Sequence, residues 1–171
     1  RARTQYLASG ATSIADLAAL LRDHGEGHDD PAYGWTNGGL HAPCVHGGGV
    51  LANSQTTASW ISEIRPEATQ HWVTATSSPC MSLFKPVAVK APVDYGSRAE
   101  DTANDSLWWR HERLHRMVMQ DPAALRPLFI PERDSTEATW MESLPDSAES
   151  FETHRELIAK WEDEGLDEDA A

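Results

Sequence analysis

Residues 111–115 contain two histidines and a glutamate in the arrangement used by zinc peptidases. His111, Glu112 and His115 match the pattern H-E-x-x-H, in which two imidazoles one helical turn apart bind zinc and the glutamate acts as general base. Both histidines also lie within the apolar arc of this helix, as packed core residues do. Arg113 follows the glutamate, and a cation beside a dication costs electrostatic free energy. We therefore favour structural histidines over zinc ligands at His111 and His115, and keep a zinc metallopeptidase as the third hypothesis.

A second group of reactive residue types lies between residues 41 and 46. His41, Cys44 and His46 can bind a metal together with other histidines that are near in sequence. Those histidines are His24, His28 and His71. Zinc sites usually take paired ligands from two separate places in a sequence, and only one such place is evident here, so this interpretation is weak.

Cys44 and His46 also resemble a thiolate and its base. Two residues apart on a strand, however, they share a face with Cα atoms about 6.5 Å apart, which is long for a catalytic hydrogen bond. We expect Cys80 to be a buried thiol in the sheet, because free cysteines usually pack. Cys44 precedes the glycine run 47–49, which lets a ligand or a backbone approach closely.

The spacing of apolar residues predicts several helices. Ser13 and Asp16 have the spacing of a capping box, and the apolar positions that follow predict a helix over residues 13–24. Other helices predicted from caps and periodicity cover residues 2–9, about 105–120 and about 147–164. Three prolines restrict residues 123–145 to short helices.

The middle of the chain predicts a loop followed by a sheet. Residues 25–49 are rich in glycine, histidine, aspartate and proline without periodicity, which indicates a long loop with a short strand near residues 44–46. Three segments dense in β-branched and aromatic residues follow, separated by short turns. They cover residues 55–64, 70–76 and 81–89. We therefore predict an α+β fold with an antiparallel β-meander flanked by helices.

The net charge of −13 is concentrated at one end of the chain. Residues 134–171 carry 11 of the 13 excess negative charges, and we interpret them as an acidic C-terminal helical segment with a frayed tail. This segment is assigned to the same domain as residues 1–133. An acidic chain lacks the clustered Lys and Arg that a nucleic-acid surface needs. A mean hydropathy of −0.52 and the lack of a long apolar run argue against a membrane protein.

Four segments together resemble the secernin family. They are CVHG at 44–47, SQTTAS at 54–59, HWVTATSSPCMSLFKPV at 71–87 and SLWWRHE at 106–112. In that family these segments occur in this order, and the resemblance covers roughly residues 13–120. Several ordered motifs are more specific than an isolated H-E-x-x-H match. We therefore interpret that match as a coincidence that arises from the family's Trp-Trp-Arg-His-Glu helix.

The resemblance implies an amide hydrolase. Secernins resemble cysteine dipeptidases and are placed among N-terminal-nucleophile hydrolases, which build a four-layer αββα sandwich. Their N-terminal cysteine attacks the amide bond, and the α-amino group, with a pKa near 8, serves as base. Because Arg1 is not a nucleophile, the resemblance implies that this chain is the C-terminal half or a subunit of such a protein. No residue of the chain is then expected to be catalytic.

The resemblance also implies where the substrate pocket lies. The segments 44–49 and 55–57 would line or support it. The candidate pocket residues are Cys44, His46, Gln55, Thr56, Thr57 and Ser78. The expected partners are a small peptide or amide substrate and the N-terminal half of the same protein or a partner subunit.

Several further expectations accompany this interpretation. No cofactor, nucleic acid or membrane is expected; a homo-oligomer stays open, and the cytoplasm is the favoured compartment. Because both sheets of the sandwich draw strands from both halves, residues 1–171 alone should leave apolar sheet faces and strand edges unpaired. The alternative hypothesis is a secernin-like binding protein without hydrolase activity.

Overall fold

A computed structural model describes residues 2–25, 30–31, 42–47, 54–90, 93–94 and 96–164. The elements in chain order are α1 (Ala2–Gly10), α2 (Ile14–Leu21), β1 (Trp60–Ile64), β2 (Thr69–Val73), β3 (Lys85–Val87), α3 (Leu107–Val118), α4 (Pro122–Glu142) and α5 (Ser147–Asp163). The fold is α+β, as predicted. Within these ranges, none of the helices combines the length and apolar character that crossing a membrane requires.

The three strands form one antiparallel sheet in the order β1-β2-β3. Ile61 pairs with Trp72, and Trp72 pairs with Pro86, so these three residues share one face of the sheet. The predicted meander is therefore confirmed, although each strand is shorter than predicted. The predicted strand near residues 44–46 is wrong: this segment is irregular, because Val45 bonds Thr56 outside the sheet.

Helices pack on both faces of the sheet. Helix α2 packs against β1, on whose inner face Ile61 is buried. Helix α5 packs against β3 on the other side, where the buried Lys85 contacts His154. Trp60, at the far edge of that second face, is 58% exposed. The second face is therefore covered at β3 and open at β1.

Helix α2 begins at the capping box predicted from the sequence. The Ser13 side chain accepts from the backbone N–H of Asp16, and the Asp16 carboxylate accepts from the backbone N–H of Ser13. Two hydrogen bonds from Thr12 to Asp16 extend this cap. These bonds lower the pKa of Asp16, the backbone bond from Thr12 having the largest effect.

Helix α4 contradicts the prediction of short helices over 123–145. It is a single helix of 21 residues that contains Pro127 and Pro131. Asp121 caps its start, with Pro122 in the first turn, where a missing N–H costs nothing. A face of buried residues, Phe129, Arg133, Glu137 and Trp140, runs along the helix. Tertiary burial of this face offsets the cost of the two interior prolines.

Helix α5 confirms the prediction of a helix over about 147–164. Its inner face buries the five residues that the periodicity selects, namely Phe151, His154, Leu157, Ile158 and Trp161. Trp161 packs on Phe129 of α4, with ring centroids 5.1 Å apart. Helix α4 runs through residue 134, where the acidic segment begins, and the predicted frayed tail at 165–171 lies outside the described residues.

Candidate metal centre

Four side chains from three separate segments meet beside the sheet. They are His24, which follows α2, Cys44 and His46 from the segment 42–47, and Cys80 from the loop between β2 and β3. One sulfur or ring nitrogen of each lies within 4.8 Å of those of the other three. His24 Nε2 is 3.1 Å from His46 Nε2, which lies 3.4 Å from the Cys44 sulfur and 3.5 Å from the Cys80 sulfur. We call these four residues the Cys/His cluster.

The Cys/His cluster is shielded from solvent. Cys44, His46 and Cys80 are each 3% exposed or less, and His24 is half-buried. Burial raises the pKa of the Cys44 thiol, and its hydrogen bond with Cys80 adds to this effect. Burial opposes ionisation of Cys80 as well, but hydrogen bonds from Cys44, His24 and His46 outweigh it and hold the pKa of Cys80 well below its usual value. The cluster thus favours one thiolate even without a cation.

Local backbone structure brings His24 to the segment 42–47. Helix α2 ends at Leu21, and Gly25, directly after His24, adopts a φ of 103°, a conformation that favours glycine. The backbone N–H of Cys44 donates to the Asp23 carbonyl at 3.1 Å. This bond fixes Cys44 next to the end of α2.

Cationic side chains hold the loop that carries Cys80, which spans residues 74–84. Arg22 donates to the carbonyls of Pro79 and Ser82, both at 2.8 Å, on either side of Cys80. Arg133 of α4 donates to the Cys80 carbonyl itself. Backbone carbonyls that would otherwise be buried without partners are thereby satisfied, and the position of Cys80 is fixed from two helices.

Lys85 holds the same loop from the strand side. Its Nζ donates to the carbonyls of Thr74 at 2.5 Å and Leu83 at 3.0 Å, and lies 2.9 Å from His154 Nδ1. Burial lowers the pKa of Lys85 to about 7. A buried amine that titrates near neutrality is unusual, and it lies directly behind the loop that carries Cys80.

The 74–84 loop also stores backbone strain. Ala75 and Ser78 have φ values of 52° and 53°, a region that residues with a side chain seldom occupy. The Ser78 hydroxyl is buried without a hydrogen-bond partner among the described residues. Strain of this kind persists where the surroundings enforce it, often at functional sites.

A chain of polar contacts leads away from His46. His46 Nδ1 lies 2.9 Å from His115 Nε2, and His115 Nδ1 lies 3.1 Å from Glu112 Oε2. The Glu112 carboxylate also accepts from Gln55 at 2.7 Å and from Ser77 at 2.6 Å. All four segments that carry the family resemblance therefore meet at Glu112 or at its neighbour His115.

The Glu112 carboxylate stays ionised although it is largely buried. Burial alone would raise its pKa, but hydrogen bonds from His115, Ser77 and Arg116 lower it to about 2. Arg116 Nε donates to Oε1 at 2.9 Å, so both carboxylate oxygens are used. A permanent negative charge is thus fixed beside the imidazole of His115.

Two expectations about Cys44 and His46 are wrong. Residues 44–46 do not form the strand that would hold the two side chains apart. Because the segment is irregular, the Cys44 sulfur lies 3.4 Å from His46 Nε2. Zinc-type ligands are also not confined to one place, since Cys80 and His24 complete the group. Cys80 is buried as expected, but in the loop beyond β2 and not in a strand.

The other candidate residues are distributed around the cluster. Thr56 accepts from Val45 N–H through its hydroxyl, and its carbonyl accepts from Ser78 N–H, both at 3.0 Å. Thr57 is exposed, and its carbonyl accepts from Trp108. His71 lies on the sheet beside Ser62, and His28 and His41 lie outside the described residues.

The H-E-x-x-H residues make contacts unlike those of a zinc peptidase. His115 bonds Glu112 and His46, whereas the ring of His111 packs edge-on against His154, with centroids 5.4 Å apart. Neither nitrogen of His111 has a hydrogen-bond partner in the described ranges. Burial, followed by the nearby charge of Lys85, lowers the pKa of His111 to about 3. Glu112 is already engaged by four donors and is not poised as a base.

Sequence reasoning named His24 only as one of several nearby histidines, and it missed Cys80 as a member of the cluster and Glu112 as the residue that joins the motifs. A single histidine after a helix and a single cysteine in a loop, 56 residues apart, carry no recognisable spacing. The only sequence signal for Cys80 and Glu112 was indirect: both lie within segments that resemble the secernin family. No protein-family model, curated protein or solved structure matches this chain.

Proposed function

We propose that this chain is the C-terminal part, or a subunit, of a secernin-like amide hydrolase that acts on dipeptides or similar small amides. The observation that carries the proposal is the meeting of the segments on which the resemblance depends. Val45 bonds Thr56, Thr56 bonds Ser78, and Gln55 and Ser77 both bond Glu112. Residues 44–112 are thus joined through their motifs, as expected if those motifs build one site.

In this proposal the nucleophile comes from outside residues 1–171. The chain has two cysteines, and both are buried in the Cys/His cluster at 3% exposure or less. Their sulfurs contact histidines of the cluster and are not directed at an open surface. Neither thiol is therefore placed to attack a substrate, which agrees with an N-terminal cysteine supplied by the other half of the protein or a partner subunit.

The open part of the sheet supports a missing partner. Trp60 and Ile64 of β1 are 58% and 81% exposed, and Val89 beyond β3 is 68% exposed. An apolar groove of 460 Å³ lies between Trp60, Val87 and Phe151. Exposed apolar residues along a sheet favour a covering layer. The second sheet of an αββα sandwich, contributed by the N-terminal half, is the cover that we propose.

Limited alkylation of the full-length protein tests the proposal. Hydrolysis of a dipeptide panel is measured while iodoacetamide is added in substoichiometric steps, and the modified cysteines are mapped by mass spectrometry. We expect activity to fall in step with modification of one cysteine outside residues 1–171, while Cys44 and Cys80 stay unmodified. Activity that is lost in step with Cys44 or Cys80 would contradict the proposal.

A second candidate is a secernin-like binding protein without hydrolase activity. It is favoured by the burial of His46 and Ser78: the His46 ring bonds within the protein, and the Ser78 hydroxyl has no hydrogen-bond partner among the described residues. Failure of the full-length protein to hydrolyse any dipeptide in the panel would favour this candidate over the hydrolase.

A further inference from the structure

We propose that His24, Cys44, His46 and Cys80 bind one zinc ion in a tetrahedral site with two sulfur and two nitrogen ligands. The ligand atoms are the two sulfurs and the two Nε2 atoms that already lie within 4.8 Å of one another. This inference does not depend on the proposed hydrolase, since it uses the geometry of these side chains alone.

The distances in the cluster agree with a zinc tetrahedron. Zn–N bonds of about 2.05 Å and Zn–S bonds of about 2.3 Å place two nitrogens about 3.3 Å apart, and a nitrogen and a sulfur about 3.6 Å apart. The two Nε2 atoms are 3.1 Å apart, and His46 Nε2 is 3.4 and 3.5 Å from the sulfurs. Each of these three separations is slightly short of the tetrahedral value, and the other three lie within 4.8 Å. Ligation therefore needs His46 to move slightly outward and any wider pair to close by at most about 1 Å.

The hydrogen bonds behind His46 set the tautomer that a metal ligand needs. The Glu112 carboxylate can only accept, so His115 carries its proton on Nδ1 and offers the lone pair of Nε2. When His46 donates from Nδ1 to that lone pair, metal binding has only to displace the Nε2 proton that bonds the Cys80 sulfur in the metal-free cluster, and the Nε2 lone pair is then directed at the ion. Metal-binding histidines usually have such a carboxylate or acceptor behind them.

The charge of the site also suits zinc. Two thiolates and one dication sum to zero, so the buried centre carries no net charge. Sulfur and imidazole ligands in a tetrahedral S₂N₂ set select zinc, whereas magnesium and calcium prefer oxygen ligands.

A closed set of four protein ligands indicates a structural metal. Structural zinc sites are four-coordinate, while catalytic ones keep a position for water or substrate. Here the ion would join the end of α2, the segment 42–47 and the 74–84 loop, which are far apart in sequence. The strained 74–84 loop would thereby be held against α2.

Metal analysis of the full-length wild-type protein is the first test. After purification without added metal, we expect one zinc per chain. Titration with an organomercurial should release that zinc as two thiols react, and Co²⁺ exchanged into the site should give the absorption of tetrahedral cobalt with thiolate charge transfer. Substoichiometric zinc that Zn²⁺ addition does not restore, or zinc release unrelated to thiol modification, would overturn the proposal.

Variants identify the ligands. Cys80→Ser should abolish stoichiometric zinc, whereas His71→Gln, a histidine on the sheet outside the cluster, should retain it. Glu112→Gln should weaken zinc binding by about 10- to 100-fold, because it removes the carboxylate behind His115. Since Cys80→Ser can unfold the protein, the organomercurial titration of wild type stands as the independent readout. Full zinc retention in folded Cys80→Ser would overturn the assignment.

Discussion

Glu137 is the residue whose removal should most directly loosen the frame around the Cys/His cluster. It lies on α4 and is 4% exposed. Its Oε1 accepts from Arg22 Nη2 at 2.5 Å and from the backbone N–H of Phe84 at 2.6 Å, and its Oε2 accepts from Arg22 Nη1 at 3.0 Å. One carboxylate therefore joins α4, the end of α2 and the 74–84 loop.

The expected cost follows from these contacts. Removing one partner of a buried ion pair costs about 3–5 kcal/mol, because the other charge stays buried and unpaired. The Arg22 side chain is 16% exposed and also donates to two carbonyls, which places Glu137→Gln near the lower figure. Glu137→Ala also deprives the Phe84 N–H of its acceptor, which adds about 1–3 kcal/mol. We expect Glu137→Gln to lower the free energy of unfolding by about 3 kcal/mol and Glu137→Ala to lower it by about 5 kcal/mol.

Urea unfolding followed by tryptophan fluorescence measures both losses. Glu132→Gln is the matched control, because Glu132 lies on the same helix and pairs with Lys160, but its side chain is 36% exposed. Its Oε2 accepts from Trp161 Nε1, and the amide oxygen of glutamine can still accept that bond. An exposed ion pair contributes about 1 kcal/mol or less, so Glu132→Gln should change the free energy of unfolding by no more than that amount. Equal effects of Glu137→Gln and Glu132→Gln would refute the argument that Glu137 anchors the frame.

Three smaller predictions concern individual helices and strands. Ser13→Ala removes the cap of α2 and should lower the free energy of unfolding by about 1 kcal/mol, measured by urea unfolding. Pro127→Ala, at an exposed position inside α4, should raise it by about 2 kcal/mol, because a backbone hydrogen bond is restored; no gain in the same assay would contradict this. The pKa of Lys85 is about 7 in the folded protein and 10.5 without burial, so the unfolded chain binds more protons between these values. Wild-type stability should therefore rise with pH across that window by up to about 1.4 kcal/mol per pH unit relative to Lys85→Met, and equal pH profiles would contradict it.

Local signals in the sequence predicted much of the secondary structure. The capping box at Ser13 depends on residues three apart, and the meander depends on β-branched segments divided by short turns, so both could be found without tertiary information. Helix α4 could not, because Pro127 and Pro131 disfavour a helix locally. Burial of Phe129 and Trp140 against other elements decides that helix, and such burial is not visible in a short window of sequence.

The Cys/His cluster could not be predicted from the sequence for a related reason. Sequence reasoning singled out Cys44 and His46 but treated the segment as a strand, in which neighbours two apart point the same way without touching. Their contact requires an irregular backbone, which the bonds between Val45 and Thr56 impose. His24 and Cys80 arrive from distant segments, so their membership depends entirely on the tertiary fold.

X-ray absorption at the zinc edge of the full-length protein tests the central claim most directly, because it reports the ligands of the metal itself. We predict a first coordination sphere of two sulfurs at about 2.3 Å and two imidazole nitrogens at about 2.0–2.1 Å. A sphere made only of nitrogen and oxygen, or one with a single sulfur, would contradict binding by Cys44 and Cys80 together.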